Sequence, residues 1–497
     1  MEFLSTRDNK LSLSAAEVII KGISGDGGLF VPSSFPVFNE SELRYMSSLE
    51  YADLAAYIMS RFITDIPAED IKKACAAAYA KFEDNDPAPV IKADDGLFMC
   101  ELYHGATHAF KDIALSVLPF LLTLSKKKLK ISKDILILVA TSGDTGKAAL
   151  EGFKDVAGTK IAVIYPESGV SDMQKRQMRT QSGNNVAVWG INGNFDDAQN
   201  TVKKLFADED FLKQTEAKGC FVSSANSINF GRLVPQIVYY FHSYFCILQS
   251  REIRFTEKVN FVVPTGNFGN ILAGYYAQRM GLPVNKFICA SNKNNVLTDF
   301  FLTGNYDISK REFYKTASPS MDILVSSNLE RLLFELSGRD DKLTAQRMKD
   351  LSNNKKFAVS QKEKDEASKL FAAYFSDDAD ATETIYDVFD GLGYIADPHT
   401  AVGLSAYYQH CDKTGDGHKT VVISTASPYK FAADVMTAIR KKPNADPFRC
   451  IKQLEVQTAL PIPQSILDLQ KAKERFTDVL EPEQVKDAVL NFAGRRG

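Results

Sequence analysis

The sequence predicts an α/β protein built on parallel sheets flanked by helices, with a mainly helical segment ahead of them. Three observations carry this. Apolar, β-rich runs of six or seven residues recur from residue 134 onward. Each stops at a turn rich in glycine, serine or asparagine, and a helical pattern follows nearly every one. Strands apolar on consecutive positions are buried on both faces, and alternating them with helices builds parallel sheets.

Taken in order, residues 1–90 read as mostly helical, apart from the glycine-rich turn "GDGGLFVP" at 25–32. In "ELYHGATHAFKDIALSVLPFLL" (101–122), Ile113, Ala114, Val117, Leu118 and Leu121 recur at helical spacing after Phe110. Thr107 is placed to cap that helix and Pro119 to kink it. Lys111 lies at the helix's buried N-terminal end. A lysine there either snorkels to water or has its charge handled chemically.

"DILILVA" (134–140) is a strand that stops at "TSGDTG" and leads into the helical "KAALEGFKDVAG". "KIAVIYP" (strand), "SDMQKRQMRTQSG" (helix), "NVAVWGI" (strand) and a long helix from Phe195 follow. After a helix around 227–248 come "KVNFVVP" (strand), "TGNFGN" (turn), "ILAGYYAQRMG" (helix) and "KFICAS" (strand). A polar helical region is expected at about 340–390, where "LSNNKKFAVSQKEKDEASK" suits a surface insertion. The strand "KTVVIST" (419–425) runs into "ASPYKF", and the last 60 residues read as a helical extension.

The composition bounds the function. A chain of 497 residues at 45% hydrophobic can bury two or three cores. With 59 Lys and Arg against 62 Asp and Glu, no basic field points to nucleic acid or an anionic membrane. The seven cysteines never approach CxxC spacing, which fits reduced thiols better than a zinc site or a disulfide framework. His104 and His108 are four apart, but Gly105 lies between them and no third ligand follows, so no metal is expected. "MEFLSTRDNK" carries no signal pattern, and no run of about 18 apolar residues is present. The expectation is a soluble cytoplasmic protein without a nucleic-acid or membrane partner.

Two turns suggest anion binding. "VVPTGNFGNILAGYY" (262–276) places Gly266 and Gly269 around a helix N-terminus, whose free N–H groups form a cradle. The alternative is an ordinary strand-to-helix turn. "LVATSGDTGKAAL" (138–150) is no nucleotide P-loop, because Thr141 and Ala148 stand where glycine and Ser/Thr belong. Its Ser142 and Thr145 hydroxyls suit a carboxylate or second phosphate, or else the turn is only a capped helix start. In "DPHTAVG" (397–403), His399 reads as part of a capped helix start. A lysine in an apolar setting, an anion cradle and the hydroxyl pair Ser424–Thr425 are what an enzyme needs to hold pyridoxal phosphate as a Schiff base.

"HGATHAFKD" resembles the HGPTxAFKD segment of threonine synthases, whose lysine carries the cofactor. "STRD…GDGGLFVP", "SGDTG", "NSINFGR", "GNFGN", "DPHTAVG" and "STASPYKF" also look like segments of that family, and together they span residues 5–431. Ala106 stands where the family usually has proline. The resemblance implies a tryptophan-synthase-like fold of pyridoxal-phosphate enzymes (fold type II), with a smaller domain inserted in a larger one. The implied boundaries are 1–90, 91–130 with 235–440, an inserted 131–234, and a C-terminal extension 441–497.

It also implies conversion of O-phospho-L-homoserine and water to L-threonine and phosphate, by a monomer or small homo-oligomer. Lys111 would carry pyridoxal 5'-phosphate and shuttle protons. Gly266, Asn267, Phe268, Gly269 and Asn270 would cradle its phosphate. Thr425, with Ser424 as fallback, would face its ring nitrogen, and Asp144 would border the ring. Ser142, Gly143, Thr145, Asn226 and Asn229 would bind the substrate, with Arg232 on its phosphate. A related phospho-lyase or dehydratase giving 2-oxobutyrate is one alternative. A non-catalytic metabolite-binding α/β protein is another.

Overall fold

The computed structural model describes residues 1–82, 86–141, 143–168, 170 and 172–495. Two parallel sheets organise it. The larger runs in the order Phe371–Phe375, Val284–Ser291, Val259–Pro264, Thr420–Ser424, Leu97–Glu101, Val90–Asp94. Only Val90–Asp94, at one edge, is antiparallel to its neighbour. The smaller runs in the order Val479–Leu480, Val186–Ile191, Thr159–Pro166, Asp134–Ala140, Cys220–Ser223, and all its pairs are parallel.

Burial follows position in the sheet. Every residue of the central strands Val259–Pro264, Thr420–Ser424 and Thr159–Pro166 is buried, so their apolar runs are continuous. The edge strand Val90–Asp94 has no buried position and carries Lys92 and Asp94, residues that discourage further pairing. Phe230–Gln249 is apolar nearly all round and packs as a buried central helix. Its Tyr240 ring meets Phe261 and Phe287 of the larger sheet, while Phe241 meets Phe38 of the N-terminal region.

Several elements depart from the sequence reading. The N-terminal region holds helices at Tyr51–Phe62 and Ala68–Tyr79, but it opens with a three-stranded antiparallel sheet of Asp8–Ser14, Glu2–Ser5 and Phe30–Pro32. The polar region at 340–390 contains helices, yet Phe371–Phe375 within it is the outer strand of the larger sheet. Val479–Leu480 joins the edge of the smaller sheet beside Val186–Ile191. Pro119 kinks nothing. A five-residue helix, Lys111–Leu115, ends, and Pro119 sits in the first turn of a second, Leu118–Lys128, where its missing N–H is no loss. No helix among the described residues is long and apolar enough to cross a membrane.

Candidate active site

Four chemistry-bearing segments follow the C-terminal ends of parallel strands, the edge where open α/β sheets bind ligands. Leu97–Glu101 leads to the loop before Lys111, Val259–Pro264 to the 265–270 turn, Thr420–Ser424 to Thr425, and Asp134–Ala140 to Asp144. Backbone bonds lace the first and third of these together. Leu102 N donates to Ser424 O (2.9 Å), Phe110 N to Thr425 O (2.8 Å) and Ser427 N to His108 O (3.1 Å).

Thr107 does not cap the Lys111 helix. Its N–H and hydroxyl instead donate to the buried Asp112 carboxylate at 2.8 and 2.6 Å, which closes the loop ahead of the lysine. Lys111 is the first residue of its helix, and its Nζ donates to Ser320 Oγ at 3.1 Å. Burial pulls its pKa down from the usual lysine value to about 8; nearby Asp144 opposes the fall, while Lys430 and Arg232 add to it. The lysine therefore does not snorkel, and it loses its proton at lower pH than an ordinary lysine does.

Ser320 is a centre that sequence reasoning missed. Its amide donates to His399 Nε2 at 3.1 Å, and its carbonyl lies against the 265–270 turn. A Cβ added to Gly266 would fall 2.7 Å from Ser320 O, so only glycine fits. The rest of the turn is held from outside. Ser326 Oγ donates to Gly266 O (2.7 Å), and Asn328 donates to Asn267 O through its N–H (3.1 Å) and Nδ2 (3.0 Å). The fully buried Arg331 donates to Asn328 Oδ1, Phe30 O and Ile228 O. The left-handed residue is Phe268 (φ 63°), with Gly269 opening the helix Gly269–Arg279. Tyr239 and Tyr240 hydroxyls bond to Asn270 Oδ1 at 2.6 and 2.7 Å, while its buried Nδ2 has no partner among the described residues. An orphaned donor beside free helix-terminal N–H groups fits a phosphate.

Asp144 is almost fully buried and bridges the two sheets. Its Oδ1 lies 2.7 Å from Lys430 Nζ and its Oδ2 3.9 Å from Lys111 Nζ. Burial alone would raise the carboxyl pKa, but the two lysines override it and hold it well below the carboxylate range. Lys430 also donates to Thr107 O at 2.8 Å. In the sequence Lys430 carries a signal of its own, a lysine set between the aromatic residues Tyr429 and Phe431 of "STASPYKF".

The turn after Asp134–Ala140 offers less to an anion than its sequence suggested. Thr141 Oγ1 accepts the Gly143 and Gly146 amides, both at 3.0 Å, so two free donors are already used. Thr145 is half-buried, and Ser142 lies outside the described residues. Among the residues around "NSINFGR", Asn229 is a buried cap: it accepts from Gly231 N (2.8 Å) and donates to Ile19 O (3.0 Å). Asn226 is exposed and binds its own turn. Arg232 is the reverse, a buried guanidinium with no carboxylate paired to it among the described residues. Nη1 donates to Ala225 O (2.9 Å), Nε has no partner among the described residues, and burial lowers its pKa to about 10. Such a cation suits an incoming anion.

Ser424 and Thr425 are both buried. Ser424 Oγ is engaged by Thr400 Oγ1 (3.0 Å) and Tyr394 OH (3.2 Å). Thr425 bonds through its backbone, to Thr400 Oγ1 and Phe110 N, which leaves its hydroxyl as the better candidate for a ligand. His399 does stand in a capped helix start, with Asp397 accepting its N–H at 2.9 Å, but its ring also reaches Ser320. His104 pairs with Glu101, and His108, its pKa lowered to about 3 by burial, with Ser465.

Comparison with known proteins agrees with this geometry. Residues 2–79 match the family described as threonine synthase N terminus, residues 85–426 the pyridoxal-phosphate dependent enzymes, and residues 400–489 the threonine synthase C-terminal family. A threonine synthase of Pseudomonas aeruginosa is 38% identical over 100% of this chain and 99% of its own. The chain belongs to the threonine synthase family. Among solved structures, a PLP-bound threonine synthase from Brucella melitensis superposes with a TM-score of 0.88 at 34% identity, covering 99% of each chain. A yeast threonine synthase gives 0.89 at 34%, covering 99% of this chain and 98% of its own. The fold is thus that of the threonine synthases, and the cofactor of the family is pyridoxal phosphate.

Proposed function

We propose that this protein converts O-phospho-L-homoserine and water to L-threonine and phosphate. The observation that carries the reading is the convergence on Ser320, where the Lys111 amine and the Gly266 turn meet. A buried lysine whose pKa is lowered at one end and a cradle with an orphaned amide at the other match the aldehyde and the phosphate of one molecule. Pyridoxal 5'-phosphate, when bound, supplies the electron sink that makes C–H bonds beside the substrate nitrogen acidic.

The side chains do the rest. Gly266–Asn270 would hold the cofactor phosphate, with the unpartnered Asn270 Nδ2 as one available donor. Lys111 would take the proton from the substrate α carbon and pass protons between the α, β and γ positions. Its depressed pKa keeps both forms accessible near neutral pH. Arg232 pairs with the substrate phosphate, the leaving group at the γ carbon. Gly143 and Thr145, with Ser142, border the substrate carboxylate, and Asp144 fixes the Lys430 charge beside it. Thr425 offers the ring nitrogen a hydroxyl, which does not force protonation there as a carboxylate would. Asn226 contributes from the loop rim, while Asn229 acts through the loop it caps. We place the enzyme in the cytoplasm, in keeping with its unpaired cysteines, as a monomer or small homo-oligomer.

The test is a product assay. The purified protein is given phosphohomoserine, and threonine, 2-oxobutyrate and phosphate are measured together. Equal amounts of threonine and phosphate are expected. Phosphate with 2-oxobutyrate alone would make the protein a phospho-lyase, and a colourless, inert protein would remove the cofactor.

A further inference from the structure

His399 and Asp397 form a buried pair that reaches the site without belonging to any group assigned above. A backbone N–H can only donate, so the 3.1 Å bond from Ser320 N requires a bare lone pair on His399 Nε2. The ring proton then sits on Nδ1, 2.7 Å from Asp397 Oδ2. Asp397 has no exposed surface, and it also accepts the His399 and Thr400 amides and the Thr400 hydroxyl. One carboxylate thus fixes both the tautomer of His399 and the orientation of Thr400, and Thr400 in turn bonds Ser424 Oγ and Thr425 N. The His399 ring packs edge-on against Phe431, 4.9 Å between centroids, which holds its plane.

Resting on the assignment of Lys111 to the cofactor, we propose that Asp397 and His399 are positioning residues that hold Ser320, and that the Ser320 hydroxyl docks the Lys111 amine whenever the lysine is not bound to the cofactor. The lysine must leave the cofactor in every turnover and still return protons to defined carbons. A flexible four-carbon stem does not stay in place unaided. Ser320 lies 3.1 Å from Nζ, and its amide is tied to His399 Nε2, the ring nitrogen that can only accept in this tautomer.

The test uses Ser320→Ala, His399→Phe, His399→Gln and the double variant Ser320→Ala/His399→Phe. The glutamine Oε1 can stand near Nε2 and accept the Ser320 amide; phenylalanine cannot. Expected results are a kcat at least tenfold lower in Ser320→Ala and His399→Phe, with KM and equilibrium cofactor affinity within threefold of wild type. The rate at which added pyridoxal phosphate joins the apoprotein, read by absorbance, should fall in parallel. The double variant should be no slower than either single one, and His399→Gln should recover most of the loss.

Multiplying effects in the double variant, or a glutamine variant as slow as the phenylalanine one, would overturn the proposal. Should the phenylalanine variant not fold, Ser320→Ala and His399→Gln decide: a wild-type rate in the first, or a loss in a folded second, overturns it equally. Borohydride trapping in the wild-type protein reads on the site itself. A cofactor adduct at a lysine other than 111 would remove the cofactor assignment and this proposal with it.

Discussion

Two strand-to-helix turns look alike in sequence, "TSGDTG" at 141–146 and "TGNFGN" at 265–270, and the structure makes them opposites. The later one is braced from outside by Ser326, Asn328 and, behind Asn328, the buried Arg331. Its interior donors, including Asn270 Nδ2, are left open. The earlier one is braced from inside, with Thr141 Oγ1 taking two of its amides, and it presents a carboxylate. The difference is one of charge logic. A turn with free N–H groups and no acid holds an anion, whereas a turn led by Asp144 gathers the cations Lys430 and Lys111.

The sharpest break in that contrast is the residue common to both. Lys111→Ala is expected to lose all turnover and the visible absorbance of lysine-linked cofactor, while cofactor still binds reversibly at the cradle. A retained, borohydride-stable link in the variant would place the anchor elsewhere.

Next come the glycines of the braced turn. Gly266→Ala puts a methyl group 2.7 Å from a backbone carbonyl, and overpacking of that kind costs about 1–3 kcal/mol, or roughly five- to 150-fold in cofactor affinity. Gly269→Ala meets only Asn328 Nδ2, at 3.4 Å, and should be several times milder. Equal cofactor dissociation constants for the two would contradict the bracing described here.

Arg232→Leu addresses the third anion. A charge-assisted bond is worth about 1.5–3 kcal/mol, so kcat/KM on phosphohomoserine should drop more than tenfold with cofactor spectra unchanged. The smallest effect is expected at Asp144. Its charge favours protonated Lys111, whose pKa is about 8. The rate of cofactor attachment to the apoprotein should therefore rise with pH through about 8 and level above it. In Asp144→Asn the protonated amine loses that support, and the midpoint should move to lower pH. A midpoint moving up would reverse the sign assigned to this pair.

How legible these two turns were in the sequence depended on how local their supports are. The strands "DILILVA" and "KVNFVVP" coincide with Asp134–Ala140 and Val259–Pro264 to within a residue, because doubly buried strands leave no other reading of such runs. Lys111 was legible from its apolar neighbours. Ser320, His399 and Arg331 were not, since each matters through partners far away in the chain: Lys111, Ser320, and Phe30 with Ile228. Phe371–Phe375 was hidden because it follows the polar helix Gln361–Leu370 directly, with no turn residue to mark the change. The N-terminal strands were missed for other reasons: Asp8–Ser14 has no buried position and lacks an apolar signal, while Glu2–Ser5 is only four residues long. Asn229 read as a ligand because asparagine serves equally well as a cap.

The strand Val479–Leu480 has a consequence for how the chain is made. It completes the smaller sheet beside Val186–Ile191, and just before it Arg475 N donates to Arg179 O while the Arg475 guanidinium reaches Gln181 O and Gly183 O. During synthesis, residues 186–191 leave the ribosome long before the segment that covers their open edge. Until then Gly190 and Ile191 lack the partner strand that the finished fold gives them, so the edge of the smaller sheet is more open in the nascent chain than in the complete one.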